Sequence, residues 1–259
     1  MTTVVSKIAR AQGRDVLRSR WLIVYSAFFL LLAEGLLRFS GSDAMAVISL
    51  SMAALMVIPL ATLMLSTMYV YGTRDFTELL LAQPIRRGDL YAGLYLGLAL
   101  PTVAGFLAGV GLPFAVRGAL GGQVGVLLGV GAALTFVFSA IGFCIALATE
   151  DRLRGMAAAL GVWLFAAVLY DGIVLTLVAL FSDYPIERPL LAVMLANPAE
   201  LGRVMLLLRL DASALMGYTG AVFERFFGGY GFVVAGAVLG SWIVLPSVRA
   251  HRLFRLKDF

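Results

Sequence analysis

An all-α polytopic membrane protein with six transmembrane helices is the fold class predicted here, on three observations. Of 259 residues 61% are hydrophobic and 14% charged, with a mean hydropathy of +0.97, whereas a soluble domain carries about a quarter charged residues. Six apolar stretches, at 21–39, 44–71, 90–116, 122–149, 155–181 and 226–248, approach or exceed the roughly 20 residues that a crossing requires. Lysine and arginine are concentrated in alternate connections between those stretches. Residues 1–259 therefore read as a single membrane domain. The one cysteine, Cys144, excludes an intrachain disulfide framework and a Cys-rich metal cluster. The net charge of +5 is distributed by membrane side, so the implied partner is the bilayer and not nucleic acid.

Residues 1–20 carry Lys7, Arg10, Arg14, Arg18 and Arg20 against the single acid Asp15. Val4, Ile8, Ala11 and Asp15, with Val5, Ala9, Val16 and Leu17, make an imperfect apolar face, which predicts a surface-lying interfacial helix. A cleaved leader is excluded, because the run from Trp21 to Leu37 exceeds the roughly 7–15 residues of a signal-peptide core and ends in Glu34 and Arg38. Glu34 and Arg38, four apart, are expected to pair on the helix. In the second span Met52, Met56, Met64 and Met68 recur at multiples of four and drift around the helix. Soft-metal capture needs converging ligands, so these methionines read as apolar packing. Only a tight turn at 117–121 separates the third and fourth spans. Asp171 lies near the middle of the fifth, where an ionised carboxylate costs about 2.5–3.5 kcal/mol. It reads either as a polar point on a working path or as a hydrogen-bonded joint between helices. Frequent small-xxx-small steps, Gly93/Gly97, Gly105/Gly109, Gly121/Gly125/Gly129 and Gly236/Gly240, permit close helix approach within or between subunits. Pro59 and Pro101 interrupt the spans, and no internal repeat is evident.

Lys7, Arg10, Arg14, Arg18 and Arg20, then Arg74, Arg86 and Arg87, then Arg152 and Arg154, and finally Arg249, Arg252, Arg255 and Lys257 fall on one side of a six-span layout. They are fourteen of the twenty basic residues, which predicts both termini in the cytoplasm. His251 then reads as a solvated residue of a basic tail. The 182–225 connection falls outside. Its two short apolar runs, LLAVMLA and VMLLLRL, predict re-entrant or surface-lying helices, with Asn197-Pro198 as a turn and cap.

The 73–89 loop, TRDFTELLLAQPIRRGD, is too polar to cross. Phe76, Leu79, Leu80 and Gln83 fall at i, i+3, i+4 and i+7, predicting a short amphipathic helix over 74–83. Asp75 complements its first turn and Pro84 ends it. The block resembles the first cytoplasmic loop of bacterial ABC-2-type permeases, which commonly reads ELLLxxPxxRxxLLxGK. The match covers Glu78, Leu79, Leu80, Leu81, Pro84, Arg87, Leu90 and Gly93; Asp75-Phe76 replaces the usual Gly-Thr, and Leu94 the usual Lys. The resemblance implies a coupling helix that docks on an ATPase, with Phe76, Leu79 and Leu80 as anchors and Arg74, Glu78, Arg86 and Arg87 as a charged rim.

A second block, LLAVMLANPAELGRVMLLL, is similar to the outer loop of NosY-type permeases at Leu190, Leu191, Leu195, Asn197, Pro198, Arg203 and Leu206. The fifth span is similar at Gly161, Val162, Trp163, Leu164 and Asp171. That family is the membrane subunit of the ABC transporter serving copper-site maturation of nitrous oxide reductase. The resemblance implies two copies working with two separate ATPase subunits in a bacterial inner membrane, with ATP and Mg²⁺ on the ATPase and a possible periplasmic partner.

The chain itself cannot bind ATP through a P-loop, which needs Gly before Lys: Lys7 follows Ser6 and Lys257 follows Leu256. A histidine-based intramembrane hydrolase is equally unsupported, since His251 lies outside every span. The chain reads as a transport subunit without a catalytic centre, cofactor or metal site of its own. The alternatives are an ABC-2 exporter permease for another substrate, a non-transporting anchor or assembly protein, and a secondary carrier. Co-purification with an ATPase separates the carrier from the permease, and ATP-dependent cargo movement separates the anchor. The topology is checked with single cysteines at Ser6, Gln83 and Ser182 in a Cys144→Ser background. An impermeant thiol reagent on intact cells should label only Ser182→Cys; labelling of either other position without Ser182→Cys would overturn the assignment.

Overall fold

The structure is a computed structural model that describes residues 2–181, 192–209 and 230–257. The remainder of the 182–225 connection, including Leu190 and Leu191, and the predicted start of the sixth span at Phe226 lie outside the described residues. Among the described residues the secondary structure is helical, with six helices long and apolar enough to cross a membrane.

Helix α1, Thr2–Leu17, leads to a cap at Ser19, whose hydroxyl accepts from Leu22 N at 3.3 Å to start α2, Arg20–Phe39. A turn with Gly41 at φ +73° precedes Ser42, which caps α3, Asp43–Gly72, through Met45 N at 3.3 Å. Thr73 then joins α3 to the short α4, Arg74–Leu81, and the chain re-enters the bundle as α5, Arg87–Val116. A turn with Gly118 at φ +67° leads to α6, Gly122–Ala148. Asp151 caps α7, Arg152–Leu164, through Leu153 N at 2.9 Å. A π-helical turn, Phe165–Leu169, connects α7 to α8, Tyr170–Leu180, within one span. Helix α9, Pro198–Arg209, follows in the outer connection, and α10, Gly231–Leu256, ends the bundle.

Helices α5 and α6 are the most buried spans and form the centre. Phe29, Phe106, Phe114, Phe138 and Phe143 are fully buried there, with Phe29 meeting Phe106 edge-on at 5.0 Å. Hydrocarbon offers no water, so buried hydroxyls bond back to their own helices: Ser51 to Val47 O at 2.7 Å, Thr62 to Ile58 O at 2.6 Å and Thr135 to Gly131 O at 2.8 Å.

Glycines on α5 decide which helix lies against which face. A Cβ on Gly97 would come within 2.8 Å of Gln12 Cβ and 3.4 Å of Ala9 Cα, so α1 sits directly on the Gly93/Gly97 step. Gly109 does the same for α2, at 2.7 Å from Ser26 O. In contrast, Gly121, Gly125, Gly129 and Gly240 have nothing within 4 Å.

Three expectations change. Helix α1 docks on α5 through Ile8, Gln12 and Val16, which keeps only part of the predicted face: Ile8 and Val16 are buried, whereas Ala11, Asp15 and Leu17 are exposed. The polar Gln12 breaks the apolar pattern yet is buried, because Tyr69 OH donates to its Oε1 at 2.8 Å. Helix α10 runs on through the predicted tail to Leu256, which brings His251 edge-on to Tyr91 at 5.5 Å instead of into solvent. Pro113 and Pro246 also lie inside helices, in addition to Pro59 and Pro101. Finally, Met52 and Met56 are exposed while Met64 and Met68 line an apolar cavity with Trp21, consistent with four methionines that do not converge.

Gly97→Val should force α1 off α5 and destabilise the protein by about 1–3 kcal/mol, whereas Gly129→Ala should be close to neutral. Melting temperatures of the two variants in detergent test this; equal values would remove the glycine step as the determinant of α1 docking.

Candidate functional site

Two clusters of chemically distinctive residues lie at opposite parts of the bundle. The first is at the end that carries the chain termini. Helix α4 follows α3 after Thr73 alone, and Thr77 Oγ1 donates to Thr73 O at 2.8 Å, which ties its first turn down. Phe76 and Leu79 are exposed, at 36% and 70%, an apolar pair on a helix outside the spans. Leu80 differs from its expected place beside them: with Leu81 and Ile85 it packs against the core. Arg74 and Glu78 pair at 3.2 Å on the outer surface, and Asp75 lies in the first turn as expected. The helix stops at Leu81, one turn short of Pro84, leaving Gln83 beyond its end.

The same loop is joined to the rest of that face. Tyr71 OH donates to Thr149 O at 3.2 Å, linking the end of α3 to the α6–α7 connection. Arg87 is not on an outer rim. Its Nη1 donates to Arg255 O at 2.8 Å and Lys257 O at 2.9 Å, satisfying carbonyls left open at the end of α10. Lys257 Nζ in turn donates to Leu147 O at 3.0 Å. Burial first, and then the nearby Arg74, hold its amine below the usual lysine range.

The second cluster joins the fifth span to the outer connection. Asp171 accepts from Arg203 Nη2 at 2.7 Å, and Arg203 Nη1 lies 3.1 Å from Glu200, so one guanidinium bridges two carboxylates. Glu200 is the most enclosed of the three, with its side chain 9% exposed. Asn197, buried, donates through Nδ2 to Ala166 O at 2.7 Å, within the π turn, while its Oδ1 accepts from Ala199 N at 3.0 Å and caps α9. Tyr170 OH donates to Val193 O, and Trp242 Nε1 to Leu195 O at 3.1 Å. Residues 192–209 thereby sit among the spans. A Cβ on Gly202 would be 3.1 Å from Leu134 and Val130 and 3.2 Å from Leu55, so α9 lies against α6 and α3.

Asp171, Asn197, Pro198 and Arg203, read separately in the sequence, are thus brought into one neighbourhood. Asp171 lies in the half of its span nearer the 182–225 connection, just beyond the π turn. Glu34 pairs with Arg38 at 2.7 Å as expected, and also with Arg117 at 2.8 Å from the α5–α6 turn. Glu200, Tyr170, Trp242 and Arg117 are additional members of these clusters. Glu200 was legible as the i,i+3 neighbour of Arg203. The π turn in FAAVL has no such mark.

A bundle of six candidate spans, with a short helix between two of them that exposes an apolar pair and a further helix packed against the spans, describes a polytopic membrane protein. The sequence matches the ABC-2 family transporter protein description over residues 7–259, and the chain belongs to that family. It is the transmembrane permease subunit of an ABC transporter and not its catalytic subunit. It is 31% identical to a probable ABC transporter permease protein NosY of Pseudomonas aeruginosa, across 97% of this chain and 98% of that one. It is 28% identical, with the same coverage, to a probable NosY permease of Stutzerimonas stutzeri.

The bridge predicts that Asp171→Asn, which keeps hydrogen-bonding capacity at similar size, retains more ATP-driven function than Asp171→Leu. A double-mutant cycle with Arg203→Gln should give a coupling of about 0.5–3 kcal/mol in thermal stability. Full activity of Asp171→Leu at parental expression would reduce the contact to a replaceable one.

Proposed function

We propose that this chain is a NosY-like permease acting as a homodimer with two separate ATPase subunits, through which ATP energy enters at α4. ATP and Mg²⁺ belong to the ATPase in this reading. The chain lies in a bacterial inner membrane with both termini cytoplasmic, as the bias of Lys and Arg supports. The observation that carries the coupling role is the exposed pair Phe76 and Leu79 on a helix outside the spans. Such apolar anchors supply most of the energy of a small interface, and the Arg74–Glu78 pair beside them sets orientation more than affinity.

A displacement of α4 passes directly to α3, since only Thr73 separates them. Along α3, Met56 O accepts from Trp163 Nε1 of the fifth span at 3.0 Å, and Leu55 lies against Gly202 of α9. Helix α3 therefore touches both arms of the Asp171–Arg203 bridge. Closure of the ATPase dimer would shift α3, and the re-entrant element would move relative to the fifth span. That movement either exports a substrate or acts on a periplasmic partner. The names of the two relatives and the resemblance of the 190–206 block support service to copper-site maturation of nitrous oxide reductase.

Phe76→Asp and Leu79→Asp should each insert normally, since they lie outside the spans, yet lose ATPase co-purification or coupling. Burying an unpaired charge at an interface costs several kcal/mol. Replacing Arg74 with Ala should do far less, because an exposed ion pair contributes about 0–1 kcal/mol. Normal ATPase binding and transport by both Asp variants would show that the energy enters elsewhere.

A further inference from the structure

Between the start of α5 and the last turns of α10 lies a cavity of about 1030 Å³ that the coupling contacts do not use. Arg86, Arg87, Arg252 and Arg255 line it, with His251 and a single acid, Asp89. Two segments more than 150 residues apart in sequence supply these cations, so their convergence is a product of the fold and not of one basic run. Arg87 is committed to the carbonyls of Arg255 and Lys257. Among the described residues, however, neither Arg252 nor Arg255 forms a side-chain ion pair. The charge of these two guanidinium groups is thus not met by a described carboxylate.

The wall is also polarised along the membrane normal. Val244, Val248, Arg252 and Arg255 follow one another at i, i+4, i+8 and i+11, on one side of α10. Val244 and Val248, with Leu245 between them, are exposed. A single helix face therefore passes from bare apolar surface within the span to paired guanidinium groups at its end. Tyr91, on the opposite wall, has a buried hydroxyl with no hydrogen-bond partner of normal geometry among the described residues. Gly88 permits this closeness, since a Cβ there would lie 2.8 Å from His251 Cε1.

From this arrangement we infer that the cavity is a binding site for an anionic phospholipid of the leaflet on the side of the chain termini. The phosphate-bearing headgroup lies between Arg252, Arg255 and Arg86, and the acyl chains run along Val248 and Val244. Guanidinium groups suit this ligand because their donors engage phosphate oxygens bidentately. A soluble anion would use the arginines but leave the apolar strip uncovered. The inference requires only that α5 and α10 are spans; it is independent of the direction in which they cross and of the ATPase contact.

The full-length chain, extracted in mild detergent, is to be titrated with phosphatidylglycerol or phosphatidylcholine and followed by native mass spectrometry. The parent should retain phosphatidylglycerol in preference to phosphatidylcholine. In the R252Q/R255Q variant the affinity for phosphatidylglycerol should fall about tenfold or more, with phosphatidylcholine binding unchanged. The R252K/R255K variant should keep most of the affinity, which separates loss of charge from loss of fold. Equal phosphatidylglycerol affinity in parent and R252Q/R255Q would overturn the assignment. So would complete displacement of the lipid by millimolar inorganic phosphate, which would make the cluster a free-anion site. Loss of ATPase co-purification by R252Q/R255Q with lipid binding intact would overturn it too, assigning the arginines to a protein contact.

Discussion

A backbone carbonyl within hydrocarbon must find its donor inside the protein, because no water is there to supply one. Continuous helices meet that requirement automatically. The segment at 192–209 and the π turn at Phe165–Leu169 do not, and side chains from neighbouring elements bond to carbonyls in both. Asn197 donates to Ala166 O, Tyr170 to Val193 O and Trp242 to Leu195 O. Each donor belongs to a different element from its acceptor, so these bonds also fix where the outer connection sits. The chain's sole asparagine does two jobs at once, since its carbonyl oxygen caps α9 while its amide closes the π turn.

The Arg203 bridge follows from the same constraint. A carboxylate at Asp171 and another at Glu200 would repel each other in a poorly solvated place, and the guanidinium between them removes that penalty. Because one member is on the fifth span and two are on α9, the bridge makes the outer connection mechanically part of the bundle. At the opposite end the device is different: Arg87 and Lys257 hold the last turns of α10 to α5 and α6 through backbone carbonyls. Helix α4 thus projects from a firmly tied platform with its apolar pair outward.

Between the two ends, packing against glycine carries the geometry. Helices α1 and α2 approach α5 at Gly93/Gly97 and Gly105/Gly109, where no other residue would leave room. Direct backbone approach makes these contacts stiff. The glycines at 121, 125, 129 and 240 have open space instead, so the same motif serves a tight joint in one place and bare helix surface in another.

Hydropathy and charge alone determined the class, the six spans and the loops that share a side, because crossing a bilayer needs long apolar runs whatever the tertiary packing. The i,i+4 pair Glu34–Arg38 was equally legible, since helical spacing is local. The pairing of Asp171 with Arg203 was not, although both residues stood out individually: 32 positions separate them, and only the return of α9 into the bundle makes them neighbours. His251 looked solvated until α10 continued past the hydrophobic run. Leu80 shared its helical face with Phe76 in the one-dimensional pattern, yet an eight-residue helix lying against a bundle has little room for a second buried face. Local spacing sets what a helix can present; only the packing of the other helices decides which side is covered and which remains to meet a partner.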